Sequence, residues 1–378
     1  MQIYKVSLND ASSFLTNLNC DVSGVKIMSK KAKIHTLFIK NLHVGAANIL
    51  KQDALSIGAD LAVPEGVIIA RDKYVNVLLI GSTKHLEILS KKELAQPFGL
   101  KDLAKQLKDF TKNIKFPTKI MGVLNLNSDS FFEKSRFSSQ NICQQIENMI
   151  ENGANIIDIG GVSSRPGSIY IGDDEEFKRV KDTIDLIYKN RYFDKVEFSI
   201  DSYSPQTVKY SLDNGFKIVN DITGLQNDEI CKITASYNAK AVIMHMQNDP
   251  QNMQESPSYE DIMLEIDSFF AQRIEKAKSF GIEDIILDVG IGFGKNLEHN
   301  LTLIKNLEHF KHFGYELLVG ASRKSMINQI VESKIEDRLS GTLAIHLESL
   351  KNGASIIRCH DVKEHFQAIK VFEAINNI

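Results

Sequence analysis

From Lys119 onward one pattern recurs eight times: a short apolar run ends in polar residues or glycine, and a helix-length segment follows. The runs are KIMGVLN (119–125), NIIDIGG (155–161), VEFSIDS (196–202), KIVNDI (217–222), KAVIMHM (240–246), DIILDVG (284–290), ELLVGAS (316–322) and ASIIRCH (354–360). Continuous apolar strands alternating with helices predict a parallel sheet covered on both faces. Eight such units fit a (β/α)8 TIM barrel, which takes about 250 residues. An open doubly wound sheet is the alternative, but its ligand crevice draws on a few strands near a switch point. Here nearly every strand carries its own polar tip, which suits a ring.

The intervening segments agree. Ser204 can cap a helix with Pro205 at its first position, and Gly215 can end it. In DDEEFKRVKDTIDLIYKN, Phe177, Val180, Ile184 and Ile187 fall at helical spacing behind a cluster of acids. Residues 1–112 read as a separate small α/β domain, with strands expected at VSGVKIM, HTLFIK, GVIIA and VNVLLIG. Helices are expected there at AANILKQDALSI and KELAQPFGLKDLAKQLKDF. That domain carries no motif tied to chemistry, and a structural or oligomerisation role is expected of it. The barrel is assigned to 113–378.

The net charge of -3 gives no overall attraction to nucleic acid or to an anionic membrane, so any preference for anions must be local. No aromatic-interleaved basic stripe and no membrane-length apolar run is present. The N-terminus lacks an apolar signal region, and four cysteines without CxxC spacing read as reduced thiols. A cytoplasmic location is expected. No Cys/His metal cluster or HExxH is apparent, and GIGFGK (290–295) reads as strand-end glycines before a turn.

A barrel gathers the C-terminal ends of its strands on one face. The tip residues are Asn125, Asp158, Asp201, Asn220 with Asp221, His245, Asp288, the Ser322–Arg323–Lys324 group, and Arg358 with His360. Each alone most often makes a local turn bond. As a series on one rim they point to a shared polar pocket. Carboxylate and amide groups such as Asp201, Asn220 and Asp288 can read the edge of a flat nitrogen-rich ring. Lys324 and Arg358, after strands seven and eight, stand where barrels often hold phosphate. His360 could add a hydrogen bond, and the Asn125 amide oxygen suits Mg2+ shared with a phosphorylated substrate. Two long loops, NLNSDSFFEKSRFSS and GGVSSRPGSIYIGDD, read as lids.

The stretches IMGVLNLNSDSFF, GANIIDIGGVSSRPGS, SIDSYSPQTVKYSLDNGFKIVNDITG, LDVGIGFGKNLEHNL, LLVGASRKSMI and RLSGTLAIHLESLKNGASIIRCHDVKE together resemble the dihydropteroate synthases. The resemblance runs from about Lys119 to the C-terminus and leaves out the first 115 residues or so. It implies condensation of 6-hydroxymethyl-7,8-dihydropterin diphosphate with 4-aminobenzoate (EC 2.5.1.15), with pyrophosphate released and Mg2+ as cofactor. By that resemblance Asp201, Asn220, Asp288 and Lys324 hold the pterin, Arg358 and His360 receive the diphosphate, and Asn125 helps to place Mg2+. Phe131, Ser164, Arg165 and Pro166 order around aminobenzoate and pyrophosphate. Asp201, Lys324 and Arg165 are the expected catalytic groups, a homodimer is expected, and sulfonamides should compete with aminobenzoate. Asn127 and Ser128 replace a Thr-Pro pair of the family, Val162 a glutamate and Val289 a proline, which bears on lid geometry. A methyltetrahydrofolate:corrinoid methyltransferase-like protein shares this type of barrel. It needs no diphosphate cluster.

Overall fold

A computed structural model describes residues 1–8, 10–126, 139–162, 171–248, 253 and 256–376. The chain divides into two compact units, Met1–Ile114 and Lys115–Ile378.

In the first unit, strands β1 (Ile34–His43), β2 (Asp60–Ala62) and β3 (Tyr74–Ser82) form an antiparallel sheet in the order β1-β3-β2. Val75, Val77 and Leu79 alternate inward along β3 onto Leu50, Leu86, Leu89, Leu100 and Leu107. Three sequence expectations fail here. VSGVKIM is not a strand but opens the helix Val22–Ala32. Asp21 decides this by capping the helix: its side chain accepts from the backbone N–H of Ser23 (2.8 Å) and Gly24 (3.2 Å). GVIIA is a turn, closed by the bonds Ala70 N–H to Val67 C=O and Arg71 N–H to Gly66 C=O, and Ile68 and Ile69 lie exposed. The single long helix expected over 92–110 is three pieces: Thr83–Lys92, a 3-10 turn Glu93–Ala95, and Leu100–Asp109 after Pro97. Proline cannot extend the hydrogen-bond ladder.

In the second unit the eight expected strands are all present. They are β4 (Lys119–Asn125), β5 (Ile156–Gly160), β6 (Glu197–Asp201), β7 (Ile218–Asp221), β8 (Lys240–Met244), β9 (Ile285–Asp288), β10 (Glu316–Val319) and β11 (Ile356–Cys359). Every pair is parallel, and the ring closes between β11 and β4, where Ile356 pairs with Lys119. The chain is therefore a (β/α)8 TIM barrel carrying a small N-terminal α/β unit.

Period-two alternation sorts each strand into an outward and an inward set. Outward residues such as Ile157, Phe198, Ile200, Val219, Ile243, Leu287, Val319 and Ile357 pack under the helices. Inward residues fall into three tiers. At the rear, Lys119 pairs with Glu316 (2.9 Å) and Lys240 with Glu197 (3.4 Å). In the middle, Met121, Ile156, Ile218, Val242, Ile286, Leu318 and Ile356 form a separate apolar plug. One step further, the same parity puts Asn125, Asp158, Asp201, Asn220, Asp288 and Arg358 inside the ring at its C-terminal mouth. The plug seals that mouth from behind.

Among the described residues no helix is long and apolar enough to cross a membrane, and all four cysteines are free. Truncating the plug with Ile286→Ala should destabilise the protein by about 2–5 kcal/mol, read as a lowered urea midpoint.

Candidate active site

The decisive side chain is Arg358. Its β11 backbone pairs with β4 and β10, yet its guanidinium bonds to carboxylates on β5 and β6, two and three strands away around the ring. Nε donates to Asp158 Oδ2 and Nη2 to Asp201 Oδ2, each at 2.7 Å. Only a path through the interior makes that possible. Asn220 on β7 joins by donating from Nδ2 to Asp158 Oδ2 (3.1 Å). Asn125 completes this side: a Cβ on Gly160 would lie 3.4 Å from Asn125 Oδ1 and 3.7 Å from Asp201 Oδ2. The missing side chain at Gly160 keeps that space open between an amide oxygen and a carboxylate.

Burial alone would discharge Arg358, but Asp158 and Asp201 outweigh it and raise its pKa further. For Asp201, burial outweighs the attraction of Arg358 and pushes the carboxyl up, with Asp158 adding repulsion. Asp158 itself is fully buried, and its Oδ1 has no hydrogen-bond partner among the described residues.

On the opposite side, Asp288 accepts from Gly290 N–H through Oδ1 (2.7 Å), and burial pushes its pKa up. Lys324 follows β10. Its ammonium bonds to the Ile291 carbonyl and lies 4.4 Å from the centre of the Phe293 ring. Burial lowers its pKa to about 8, against the pull of Asp288 and Asp201.

The run from 290 to 295 does more than turn the chain. Lys295, 3% exposed, donates to His245 Nδ1 (3.0 Å), to His245 C=O (3.2 Å) and to Phe293 C=O (2.9 Å). Burial and then the Lys295 charge hold His245 at about 2, so the ring is neutral and accepts at Nδ1. Gly290 (φ 67°) permits this fit, since a Cβ there would sit 1.9 Å from the His245 carbonyl oxygen. Lys295 thus pins the loop that delivers Phe293 and the Ile291 carbonyl to Lys324. The sequence offered only a buried-looking lysine after three glycines, so Phe293 and Lys295 went unnoticed as contributors.

Other tips resolve differently. Asp221 faces outward and caps its own turn, accepting from Thr223 N–H and Oγ1 (both 2.7 Å) and from Leu225 N–H (3.1 Å). Arg323 does not belong to a cation cluster: Nε and Nη2 grip Asp361 (3.0 and 2.7 Å), while Nη1 bonds to the carbonyls of Ile335 and Glu336. His360 is exposed beside β11, with Nδ1 2.9 Å from Ser322 Oγ. Ser204 takes the N-cap position before Pro205 without a side-chain cap bond. Val289 is buried in the core. Phe131, Ser164, Arg165 and Pro166 lie outside the described residues, as do Asn127 and Ser128.

Residues 121–360, the stretch that carries this cup, match the model of the pterin binding enzymes. The chain belongs to that family. Among relatives of this pterin binding enzyme, the dihydropteroate synthase of Escherichia coli K12 is 40% identical over 258 residues, 68% of this chain and 90% of its own. A bifunctional dihydropteroate synthase/dihydropteroate reductase of Helicobacter pylori is 43% identical over 349 residues, 92% of each chain. The crystal structure of the Yersinia pestis dihydropteroate synthase with a sulfonamide drug is 36% identical and superposes with a TM-score of 0.65, over 69% of this chain and 95% of that one.

Asp158→Ala should leave Arg358 half-paired at the floor of the pterin binding cup. The expected loss is about 3–5 kcal/mol in urea unfolding, and full recovery should require replacing Arg358 as well.

Proposed function

We infer that this chain catalyses the dihydropteroate synthase reaction, joining 6-hydroxymethyl-7,8-dihydropterin diphosphate to 4-aminobenzoate with release of pyrophosphate. The observation that carries this reading is the cup itself: carboxylate and amide groups from β5, β6, β7 and β9 converge with Lys324 and Arg358 above a sealed apolar floor. Family membership and synthase relatives at 40–43% identity agree.

In this reading Asp201, Asn220 and Asp288 take the polar edge of the pterin, and Lys324 stands between ring and diphosphate. Arg358 and His360 serve the diphosphate, and Asn125 offers its oxygen to Mg2+. The C–O bond at the pterin methylene breaks, its electron pair leaves on pyrophosphate, and the aminobenzoate nitrogen forms the new C–N bond and then loses a proton. Asp201 favours the positive charge that grows on the pterin side, and Lys324 the negative charge on the leaving group. Phe131, Ser164, Arg165 and Pro166 close over aminobenzoate, with Arg165 as a further cation.

The charges around the cup favour the metal reading. Asp158, Asp201 and Asp288 oppose only Arg358 and Lys324, and Arg358 is already bound to two carboxylates. A diphosphate arriving there brings more negative charge than these residues offset. Mg2+ supplies that charge and, as an oxygen-seeking ion shared with substrate phosphates, fits the open space at Gly160 beside Asn125. A diphosphate cluster also separates this reading from corrinoid methyl transfer. Free cysteines support a cytoplasmic location, and a homodimer follows from the family resemblance.

The Helicobacter relative aligns across 92% of this chain, so its likeness reaches into the first unit, whereas the Escherichia synthase covers 68%. That observation favours a second activity here, reduction of dihydropteroate: hydride from a reduced nicotinamide or flavin adds to C6, and a proton to N5. Anaerobic oxidation of NADH or NADPH that depends on dihydropteroate tests it. No such dependence, with or without added flavin, ends it.

Pyrophosphate release that requires both 4-aminobenzoate and Mg2+, and that sulfonamides inhibit competitively, is the expected outcome for the synthase. Because the charged form of Lys324 binds the diphosphate, kcat/KM should fall above pH of about 8. Lys324→Arg should move that limb to higher pH, and Lys324→Met should remove it while lowering kcat/KM by roughly 10²-fold. An unchanged alkaline limb in Lys324→Met would contradict the assignment.

A further inference from the structure

A second cluster of ligand-type side chains lies away from the strand tips. His309 and His312 belong to the 3-10 helix Leu307–Phe313 that leads into β10. With three residues per turn, positions i and i+3 eclipse, so both rings project to one side. Asp267, from the helix Ile262–Ser279, meets them there: its Oδ1 lies 2.9 Å from His309 Nε2 and 2.6 Å from His312 Nε2. One ligand atom from each residue falls within 4.8 Å of the others. The sequence hid this grouping, because Asp267 stands 42 residues before the first histidine.

The frame holding these groups is stiff. Each histidine is followed by a phenylalanine, Phe310 and Phe313, and both pack edge-on against Phe270, one turn after Asp267 (ring centres 5.5 and 6.1 Å apart). Phe270 and Phe310 are fully buried. The ligand side chains keep 15–28% of their surface, so solvent reaches them. Burial would raise the Asp267 carboxyl, but hydrogen bonds from His309 and His312 hold it down to about 2, so it stays anionic.

We propose that Asp267, His309 and His312 bind one divalent transition-metal ion of the zinc class, outside the strand-tip cup. Two imidazoles and a carboxylate are a donor set for zinc or ferrous iron rather than for Mg2+ or Ca2+, which take oxygen. Metal bonds of about 2.0–2.2 Å hold tetrahedral ligands somewhat further apart than the present hydrogen bonds do. The ion therefore enters as the two rings swing outward, each carrying its proton on Nδ1, with water as fourth ligand. Bound there, it ties the long helix to the segment that feeds β10. This assignment stands independently of the synthase reading.

The test uses the full chain, dialysed against Zn2+ and then against metal-free buffer. One zinc per chain should remain, Co2+ in its place should give visible d–d absorption, and the thermal midpoint should rise with Zn2+. His309→Gln/His312→Gln should weaken binding at least tenfold and abolish the rise, while pyrophosphate release in Mg2+ reports that the variant folds. Asp267→Asn provides a second variant if the double one is unstable, and anomalous scattering from Zn2+-soaked crystals locates the ion directly. The assignment is overturned by no retained zinc, by equal zinc in wild type and variants, or by an anomalous peak elsewhere.

Discussion

Strand pairing in a closed ring leaves no edge, so each residue on a barrel strand faces either the helices or the interior. That single constraint organises the second unit of this protein. Two-residue steps along β5 run from Ile156 in the plug to Asp158 at the mouth and then to Gly160. The same step leads from Ile218 to Asn220, from Ile286 to Asp288 and from Ile356 to Arg358. A slip of one residue in any of these strands would exchange its functional tip for a buried isoleucine or valine. The apolar plug therefore fixes the register that the site needs.

Polar groups at the mouth are expensive to leave unpaired, and the structure settles most of them among themselves. Arg358 spans the ring to Asp158 and Asp201, and Asn220 shares the same Asp158 oxygen. Lys295 is satisfied by two carbonyls and a neutral imidazole instead of a carboxylate. Arg323 is withdrawn from the mouth altogether by Asp361. Lys324 stays beside Phe293, close enough to Asp288 and Asp201 to feel both charges. The pocket is thus nearly balanced before any ligand arrives, which is why an incoming diphosphate calls for a metal ion and for the lid arginine.

Legibility in the sequence followed the range of the forces. The eight apolar runs of the barrel were readable because a strand buried on both faces has few competing explanations once helices separate the runs. In the first unit the same kind of reading failed at Val22–Met28, where a single capping aspartate turned β-branched residues into a helix. It failed again at Gly66–Ala70, where two local hydrogen bonds closed a turn. Short segments with modest burial are governed by such caps and turns, and one polar side chain tips them.

The sequence by itself determined the barrel, the set of polar tips and the family, since these rest on periodicity and on long contiguous motifs. Tertiary structure decided how those tips are used. Parity and closure sent Asp201 inward and Asp221 outward, although each ends a neighbouring strand. Of two adjacent cations, Arg323 went to Asp361 and Lys324 into the cup. Asp267 met His309 and His312 across 42 residues of chain. Such pairings depend on distances that exist only once the ring has closed, and no local pattern encodes them.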